Sequence, residues 1–322
     1  MVLAVAICIL ILGCENELFI NDEGNLVPGT VDEDPSLPSI FVNGTQLHSE
    51  AFGNPADPMV IFLHGGPGCD YRNATNLREL TDNGYYVVFY DQRSTGLSKR
   101  HPAESFTIEQ VFDDLKGVIA HYKTSPGQKV FLFGHSWGAM LATGYVSRHP
   151  SDISGLILAE PGGFTWSEIM EQHTRIRELK IFRESINDVL YADQFMTGRE
   201  NYHAILDYKF EMMSSSTHEK DNPEGIEGPF PMWRYGAVVF NTYMELGEKE
   251  KVDFSKNLNY EQHVIFLYSE NNRGYGREWS EKLATHYPNS HVFQVKGTGH
   301  EMIYFKWQNV KPIVLNYLNS LK

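Results

Sequence analysis

One serine in this chain stands in a pattern that is typical of an activated nucleophile. Residues 134–138 read GHSWG, which matches G-x-S-x-G with Ser136 at its centre. An apolar run precedes the motif and a helical pattern follows it, so the serine would lie on a sharp turn from a strand into a helix. Glycines are expected on either side because larger side chains would clash in such a turn. The hydroxyl would then face a helix N-terminus, which stabilises negative charge.

A second glycine-rich segment could supply the hydrogen-bond donors that acyl transfer needs. Residues 64–68 read HGGPG and follow an earlier apolar run. An oxyanion hole requires N–H groups that point at one position. We expect one donor from Trp137, the residue after the candidate nucleophile, and one from Gly66, because Pro67 has no N–H.

A histidine near the C-terminus is the candidate general base. His300 ends the segment GTGH at residues 297–300, which follows the last predicted strand. A serine, an acid and a histidine in this chain order are typical of folds that carry such a turn. We therefore predict that His300 accepts the proton of Ser136. His64 and His135, inside the two glycine motifs, are expected to be structural.

The elements that must position these groups alternate along the chain. An Asn-Gly pair at residues 43–44 predicts a hairpin. Helical spacing of apolar residues predicts helices over 108–122 and 310–321. Short apolar runs that are typical of strands buried on both faces lie at residues 59–63, 85–90, 130–133, 155–159, 264–268 and 291–295. This alternation predicts an α/β fold around a mostly parallel, doubly wound sheet.

With these motifs the chain resembles the α/β-hydrolases and, within them, the proline iminopeptidase group. The resemblance is carried by HGGPG at 64–68, DQRSTGLS at 91–98 and GHSWG at 134–138. It implies the α/β-hydrolase fold, with a helical cap inserted between two core strands. It also implies a serine hydrolase that cleaves an amide or ester through an acyl-enzyme, with aminopeptidase activity on N-terminal residues as one form. By the same resemblance, Asp91 and Arg93 look like a structural pair that braces the oxyanion loop.

The acid of the triad is the point at which the chain departs from this group. The family places an Asp after the strand that ends at Tyr268, but residues 269–272 read SENN, with Asn272 in that place. An amide cannot both fix the histidine tautomer and stabilise the imidazolium. Glu160 ends the strand beside the nucleophile strand, a position that some haloalkane dehalogenases of this fold use for a Glu. We expect Glu160 to be the acid and keep Glu270 as the alternative.

The predicted cap departs from the group as well. Proline iminopeptidases carry a W-x-x-W-E-like element whose Glu helps to hold the free amine of the substrate, whereas residues 232–235 read MWRY. Two alternatives to an aminopeptidase therefore stay open. One is a carboxylesterase of the same fold. The other is a degenerate hydrolase that binds a ligand without turnover, which Asn272 at the acid position would favour.

The N-terminal residues predict export and a lipid anchor. Residues 2–12 are apolar, with the length of a signal-peptide core. The following Gly13-Cys14 completes ILGC, which resembles a bacterial lipobox with lipid on the Cys14 sulfur. We expect the lipoprotein signal at 1–14, an acidic flexible tether at 15–38, the core at 39–161 and 259–322, and the cap at 162–258. This organisation predicts a membrane-anchored protein of the bacterial cell envelope.

Composition and motifs also limit the partners. The formal net charge is −14, which argues against a nucleic-acid partner. The sequence has no dinucleotide fingerprint and no His, Cys or acid cluster with metal-ligand spacing, so we expect neither a cofactor nor a metal. The expected partner is a small-molecule or short-peptide substrate. The sequence leaves the oligomeric state open.

Overall fold

The computed structural model describes residues 26–177, 202–215 and 222–322. Its strands are β1 Ser39–Val42, β2 Thr45–Phe52, β3 Met59–Leu63, β4 Tyr86–Tyr90, β5 Val130–His135, β6 Gly155–Ala159, β7 Val264–Ser269 and β8 Ser290–Val295. Its helices are α1 Ile108–Tyr122, α2 Trp137–Arg148, α3 Trp166–Arg177, α4 Tyr202–Ser215, α5 Ala237–Glu250, α6 Arg277–Ala284, α7 Met302–Phe305 and α8 Trp307–Ser320. Short 3₁₀ segments lie at Arg72–Asn83, Ala103–Ser105 and Pro150–Asp152.

The strands form one sheet, and its topology confirms the doubly wound prediction. In the described residues the order is β1-β2-β4-β3-β5-β6-β7-β8. The hairpin β1–β2 and the β2–β4 pair are antiparallel, and every other neighbouring pair is parallel. The carboxyl ends of β5, β6 and β7 therefore lie side by side at one edge, which is where the sites of open α/β sheets lie.

Both faces of the sheet are covered, which explains why the central strands are continuously apolar. Strand β3 and strand β4 are buried at every position. One apolar cluster joins one face to α1, α2 and α6. A second cluster joins the other face to the 3₁₀ segment Arg72–Asn83 and to α8. The core thus fixes the ends of the strands that carry the candidate site.

Helices α3, α4 and α5 lie between β6 and β7 in the chain, where the sequence predicts the cap. Helix α3 begins with a reciprocal capping arrangement. The backbone N–H of Thr165 donates to the Glu168 carboxylate at 3.1 Å, and the N–H of Glu168 donates to the Thr165 hydroxyl at 3.3 Å. The sequence of this region also has helical patterns over 168–186 and 199–213, which correspond in part to α3 and α4. The remainder of each pattern lies outside the described residues.

The packed body begins before Ser39, the residue at which the sequence predicts the start of the core. Val31 is buried, and its N–H donates to the Leu97 carbonyl at 2.8 Å. The carbonyl of Pro28 accepts a hydrogen bond from the Arg234 guanidinium at 3.1 Å. The second half of the expected tether therefore packs against the body, because it offers an apolar side chain and backbone groups that find partners.

Cys14, the predicted signal at residues 1–14 and the first part of the tether lie outside the described residues. Within the described ranges, no helix combines the length and the apolar character that a membrane span needs.

Candidate active site

The turn from β5 into α2 holds Ser136 in strained backbone. Its φ is 54° and its ψ is −117°, a region that side chains rarely adopt. Both motif glycines are required by close approach. A Cβ on Gly134 would lie 2.4 Å from the Gly138 carbonyl oxygen, and one on Gly138 would lie 1.9 Å from the Leu63 carbonyl oxygen. Strain of this kind persists where the surroundings enforce it, and it is concentrated at functional sites.

The two oxyanion candidates adjoin the serine. Trp137 is the first residue of α2, so its N–H has no partner within the helix and lies at the positive end of the helix dipole. Gly65 packs directly behind the nucleophile, since a Cβ there would lie 3.3 Å from Ser136 Cβ. Gly66 follows with a φ of 124°, which favours glycine. Gly66, Ser136 and Trp137 all line one cavity.

Gln92 connects the two glycine motifs. Its backbone N–H donates to His64 Nε2 at 2.9 Å, and its side-chain amide donates to the His64 carbonyl at 3.1 Å. Its amide oxygen accepts the indole N–H of Trp137 at 2.9 Å. The amide therefore holds the start of the oxyanion loop and the residue after the nucleophile at a fixed separation, and His64 has the structural role expected of it.

The expected pairing of Asp91 with Arg93 is wrong. Asp91 Oδ2 lies 2.7 Å from His48 Nδ1, and its other oxygen accepts the Tyr71 N–H at 3.2 Å. Arg93 instead binds Asp114 through two nitrogens, at 2.8 and 2.7 Å. Each of the two side chains instead has a buried partner of its own.

The structure places Glu160, of the two candidate acids, against His300. Glu160 Oε2 lies 2.7 Å from His300 Nδ1, and the carboxylate is fully buried. Its other oxygen accepts the Ser269 N–H at 2.7 Å and the Ser269 hydroxyl as well. Glu160 has a φ of 46°, so this contact, like the serine, depends on strained backbone at a strand end. Because a carboxylate only accepts, Nδ1 carries the proton and Nε2 is left to accept one.

Asn272 and Glu270 have other partners. The Asn272 amide donates to Glu160 Oε2 at 3.0 Å, and its oxygen accepts the N–H groups of Gly274 and Tyr275 at 2.9 and 3.1 Å. Asn272 thus supports the carboxylate instead of replacing it. Glu270 lies at the surface and accepts the Gly297 N–H at 2.8 Å.

Comparison with known proteins agrees with the fold and with the motifs. The family model described as "Serine aminopeptidase, S33" matches residues 54–208. A protein of Bacillus subtilis, "AB hydrolase superfamily protein YfhM", is 24% identical over 291 residues, which cover 87% of this chain and 97% of that protein. The proline iminopeptidase of Arabidopsis thaliana is 36% identical over 114 residues, 35% of this chain and 29% of that protein. The solved proline iminopeptidase of Mycobacterium smegmatis superposes with a TM-score of 0.56 at 17% identity, covering 88% of this chain and 97% of that one.

The chain has the α/β-hydrolase fold and is similar to the proline iminopeptidase-like group. The coverage of the relatives differs: the chain spans nearly the whole Bacillus protein but less than a third of the Arabidopsis iminopeptidase. The structural likeness supports the fold, and the family supports a hydrolase.

Three side chains that contact or adjoin the hydrolase's histidine were not predicted from its sequence. The Tyr275 hydroxyl oxygen lies 2.9 Å from His300 Nδ1 and 3.1 Å from Nε2, and it donates to Glu224 Oε1. Glu301 is buried beside His300 and accepts the Asn73 amide at 2.8 Å. Glu301 could have been found from the sequence, because it directly follows His300. Glu224 and Tyr275 stand in no motif and reach the site only through the fold.

Charges around the histidine set its protonation. Burial alone would lower the pKa of His300, but the hydrogen bond with Glu160 and the charges of Glu224, Glu160 and Glu301 outweigh it and raise that pKa to about 9. Burial raises the pKa of Glu301 to about 7, although the positive charge of His300 opposes the rise. Burial and the neighbouring His300 lower the pKa of His135 to about 3, so that ring stays neutral.

The site opens into a cavity of about 600 Å³ beneath the cap. Three glutamates line it, Glu224, Glu227 and Glu301, whereas no Lys or Arg lines it within the described ranges. Its aromatic lining consists of Trp137, Trp166, Phe210, Phe230, Tyr235, Phe240, Tyr243 and Phe254. A cavity of this size suits a small substrate with apolar groups, and its acids favour a positive charge.

The cavity also contains one group of potential metal-binding side chains. Ligand atoms of His135, His300 and Glu301 lie within 4.8 Å of one another. One nitrogen of each ring already has a partner, since His135 Nε2 donates to the His300 carbonyl at 2.9 Å and His300 Nδ1 faces Glu160. The Glu301 carboxylate accepts the Asn73 amide at 2.8 Å.

Proposed function

We propose that this hydrolase cleaves an amide or ester by serine catalysis through an acyl-enzyme. Ser136 is the nucleophile, His300 the general base and Glu160 the acid that orients the histidine. The observation that carries the proposal is the 2.7 Å contact between His300 Nδ1 and Glu160 Oε2, at the cavity that Ser136 also lines. This is the arrangement that activates a serine, because the acid fixes the tautomer and leaves Nε2 free to take a proton.

The reaction would proceed in two halves. Ser136 Oγ attacks the substrate carbonyl carbon while His300 Nε2 takes its proton, and the Gly66 and Trp137 N–H groups stabilise the oxyanion. Collapse of the tetrahedral intermediate breaks the bond to the amine or alcohol, which leaves with the proton from His300. Water then attacks the acyl-enzyme, with His300 again as base, and releases the acid. Glu160 stays ionised and stabilises the imidazolium in both halves.

The degenerate-hydrolase alternative rested on Asn272 at the usual acid position. The contact of Glu160 with His300 supplies a carboxylate there, and the hydrogen bond from Asn272 to Glu160 supports it. Both observations favour turnover over ligand binding alone.

Among amides and esters, the cavity favours a substrate with a free amine, as the family description "Serine aminopeptidase" suggests. Glu301 lies beside His300 and is held by Asn73, so its carboxylate adjoins the reacting groups. A substrate ammonium would favour the ionised form of this carboxyl, whose pKa is about 7. Aminopeptidase activity on short peptides is therefore our first candidate, and carboxylesterase activity is the alternative.

A substrate panel tests this proposal. Aminoacyl naphthylamides, their N-acetylated forms and p-nitrophenyl esters are compared by kcat/KM, with Ser136→Ala as the control for catalysis by the site. We expect the free-amine substrates to be preferred. We also expect Glu301→Gln to reduce kcat/KM for them by about 10- to 100-fold, the size of a lost charged hydrogen bond, and to affect esters less. Equal losses on both substrate classes would contradict amine recognition by Glu301.

We further propose that the protein is anchored to a membrane of the bacterial cell envelope by lipid on Cys14. The support is the apolar run at 2–12 followed by the lipobox-like ILGC. Expressed in a bacterium, Cys14→Ser should leave the membrane fraction, whereas Cys8→Ser should remain there. Membrane association of Cys14→Ser that equals that of the unaltered protein would contradict the anchor.

A further inference from the structure

A loop of the cap region, residues 222–226, lies directly against the segment that carries the histidine. The His300 N–H donates to the Glu224 carbonyl at 2.9 Å. The approach is close, since a Cβ on Gly299 would lie 1.8 Å from the Gly225 carbonyl oxygen. On its other side, this loop accepts the Arg273 N–H at the Pro223 carbonyl, at 2.7 Å. The position of the loop and that of the histidine are therefore coupled.

A side-chain connection runs parallel to these backbone contacts. The Tyr275 hydroxyl donates its single proton to Glu224 Oε1, so its oxygen lone pairs are left toward the His300 ring nitrogens at 2.9 and 3.1 Å. Burial, then the charge of Glu224, raises the pKa of Tyr275 well above its usual value, so the phenol stays neutral. His300 thus contacts the Glu160 carboxylate directly and a second carboxylate through one hydroxyl.

We propose that Glu224 is a positioning residue that acts on His300 through the Tyr275 hydroxyl, as a second carboxylate besides Glu160. His300 is then at its most basic only when the 222–226 loop is docked against it. The inference rests on the proposed serine hydrolase function and extends it. Each turnover places a proton on His300, and a nearby negative charge stabilises the imidazolium that forms. The cap region, which covers the substrate, would thereby contribute to the chemistry of the core.

Other groups that face His300 come from different elements. Glu160 follows β6, His135 ends β5, Tyr275 precedes α6 and Glu301 is the next residue along the chain. His135 is neutral and donates to the His300 carbonyl. Among the described residues that face His300, Glu224 is the acid from the chain between β6 and β7, so its removal tests the cap contribution separately from the triad.

The test is the pH profile of kcat/KM for Glu224→Gln, with Glu270→Gln as the matched control. Glutamine keeps an oxygen to accept the Tyr275 proton and removes the charge alone. We expect the acidic limb, which reports the pKa of the free base, to move to lower pH by about one unit, as for loss of one nearby charge. Glu270→Gln makes the same charge change on a surface loop, where the side chain contacts Gly297, and its limb should stay in place. An unmoved limb in Glu224→Gln, or an equal shift in both variants, would overturn the proposal.

Tyr275→Phe tests the route of the coupling. We expect the shift of the acidic limb that Glu224→Gln causes to be at least threefold smaller in a Tyr275→Phe background, because the hydroxyl that joins the two groups is gone. Additive effects would exclude Tyr275 as the link. A titration of the His300 ring followed by NMR in the Ser136→Ala background provides a readout without turnover. A lowered His300 pKa in Glu224→Gln, together with no Ser136-dependent hydrolysis by the unaltered enzyme, would overturn the proposed function and leave the coupling intact.

Discussion

The two sides of this active site are constructed in different ways. The nucleophile side consists of two contiguous segments, residues 64–68 and 134–138. Gly65 of the first packs against Ser136, and Gly138 of the second packs against the His64 carbonyl. The acid side joins single residues from distant segments, among them Glu160, Glu224, Tyr275 and His300. On the first side local backbone geometry does the positioning, and on the second side tertiary contacts do.

This difference determines what a substitution can do on each side. Close backbone approach leaves no room for a side chain at Gly138, so a change there acts on the fold. On the acid side, Glu160 and Asn272 meet from adjacent strand ends, where the Asn272 amide donates to the carboxylate that contacts His300.

Ser136→Ala tests the nucleophile side at its centre. We expect kcat to fall by about 10⁶-fold, the size found when a catalytic serine is removed. Thermal unfolding should be unchanged, since the turn depends on the glycines and not on the hydroxyl. Turnover near the unaltered level in a folded Ser136→Ala protein would contradict the assignment of Ser136 as the nucleophile.

Glu160→Gln tests the acid side. We expect kcat to fall by about 10⁴-fold, because an amide cannot hold the tautomer and stabilise the imidazolium together. Glu270→Gln should stay within about twofold, in line with the small effects of surface substitutions. Steady-state kinetics of the two variants decide between the carboxylates, and a larger loss in Glu270→Gln would reverse the assignment.

Gly138→Ala sharpens the claim that close approach shapes the nucleophile side. We expect a loss of about 3 kcal/mol or more in the free energy of unfolding, because the new Cβ would overlap the Leu63 carbonyl. Gly127→Ala is the control, since a Cβ there meets nothing within 4 Å, and its change should stay within about 0.5 kcal/mol. Denaturant unfolding of both variants gives the comparison, and equal stabilities would contradict the claim.

The pH dependence of the unaltered enzyme reports the acids around His300. The base acts in its neutral form, so activity is lost as pH falls through its pKa. That pKa is raised to about 9, and kcat/KM for an ester without ionising groups should therefore rise from neutral pH towards pH 9. A limb at or below the ordinary histidine pKa, about 6.5, would show that the neighbouring carboxylates do not act on the ring as argued.

The sequence predicted the fold and the tight turn at Ser136 because both depend on local signals. Apolar runs marked the strands, and the glycines around Ser136 marked a turn that few other residues permit. Glu160 was a candidate because the end of its strand could be located next to that of Ser136. Tyr275 and Glu224 could not be predicted, because no periodicity or motif brings a cap loop to the histidine. The Asp91–Arg93 pair, which was expected from the family resemblance, was wrong because each side chain has a buried partner of its own, His48 for Asp91 and Asp114 for Arg93.

Labelling with a fluorophosphonate probe tests the central claim, an activated Ser136, most directly. Peptide mass spectrometry of the labelled enzyme should locate one adduct, on Ser136. The labelling rate should fall sharply in Glu160→Gln and remain near the unaltered rate in Glu270→Gln. An adduct on another residue, or no adduct in a protein that turns over substrate, would contradict the account.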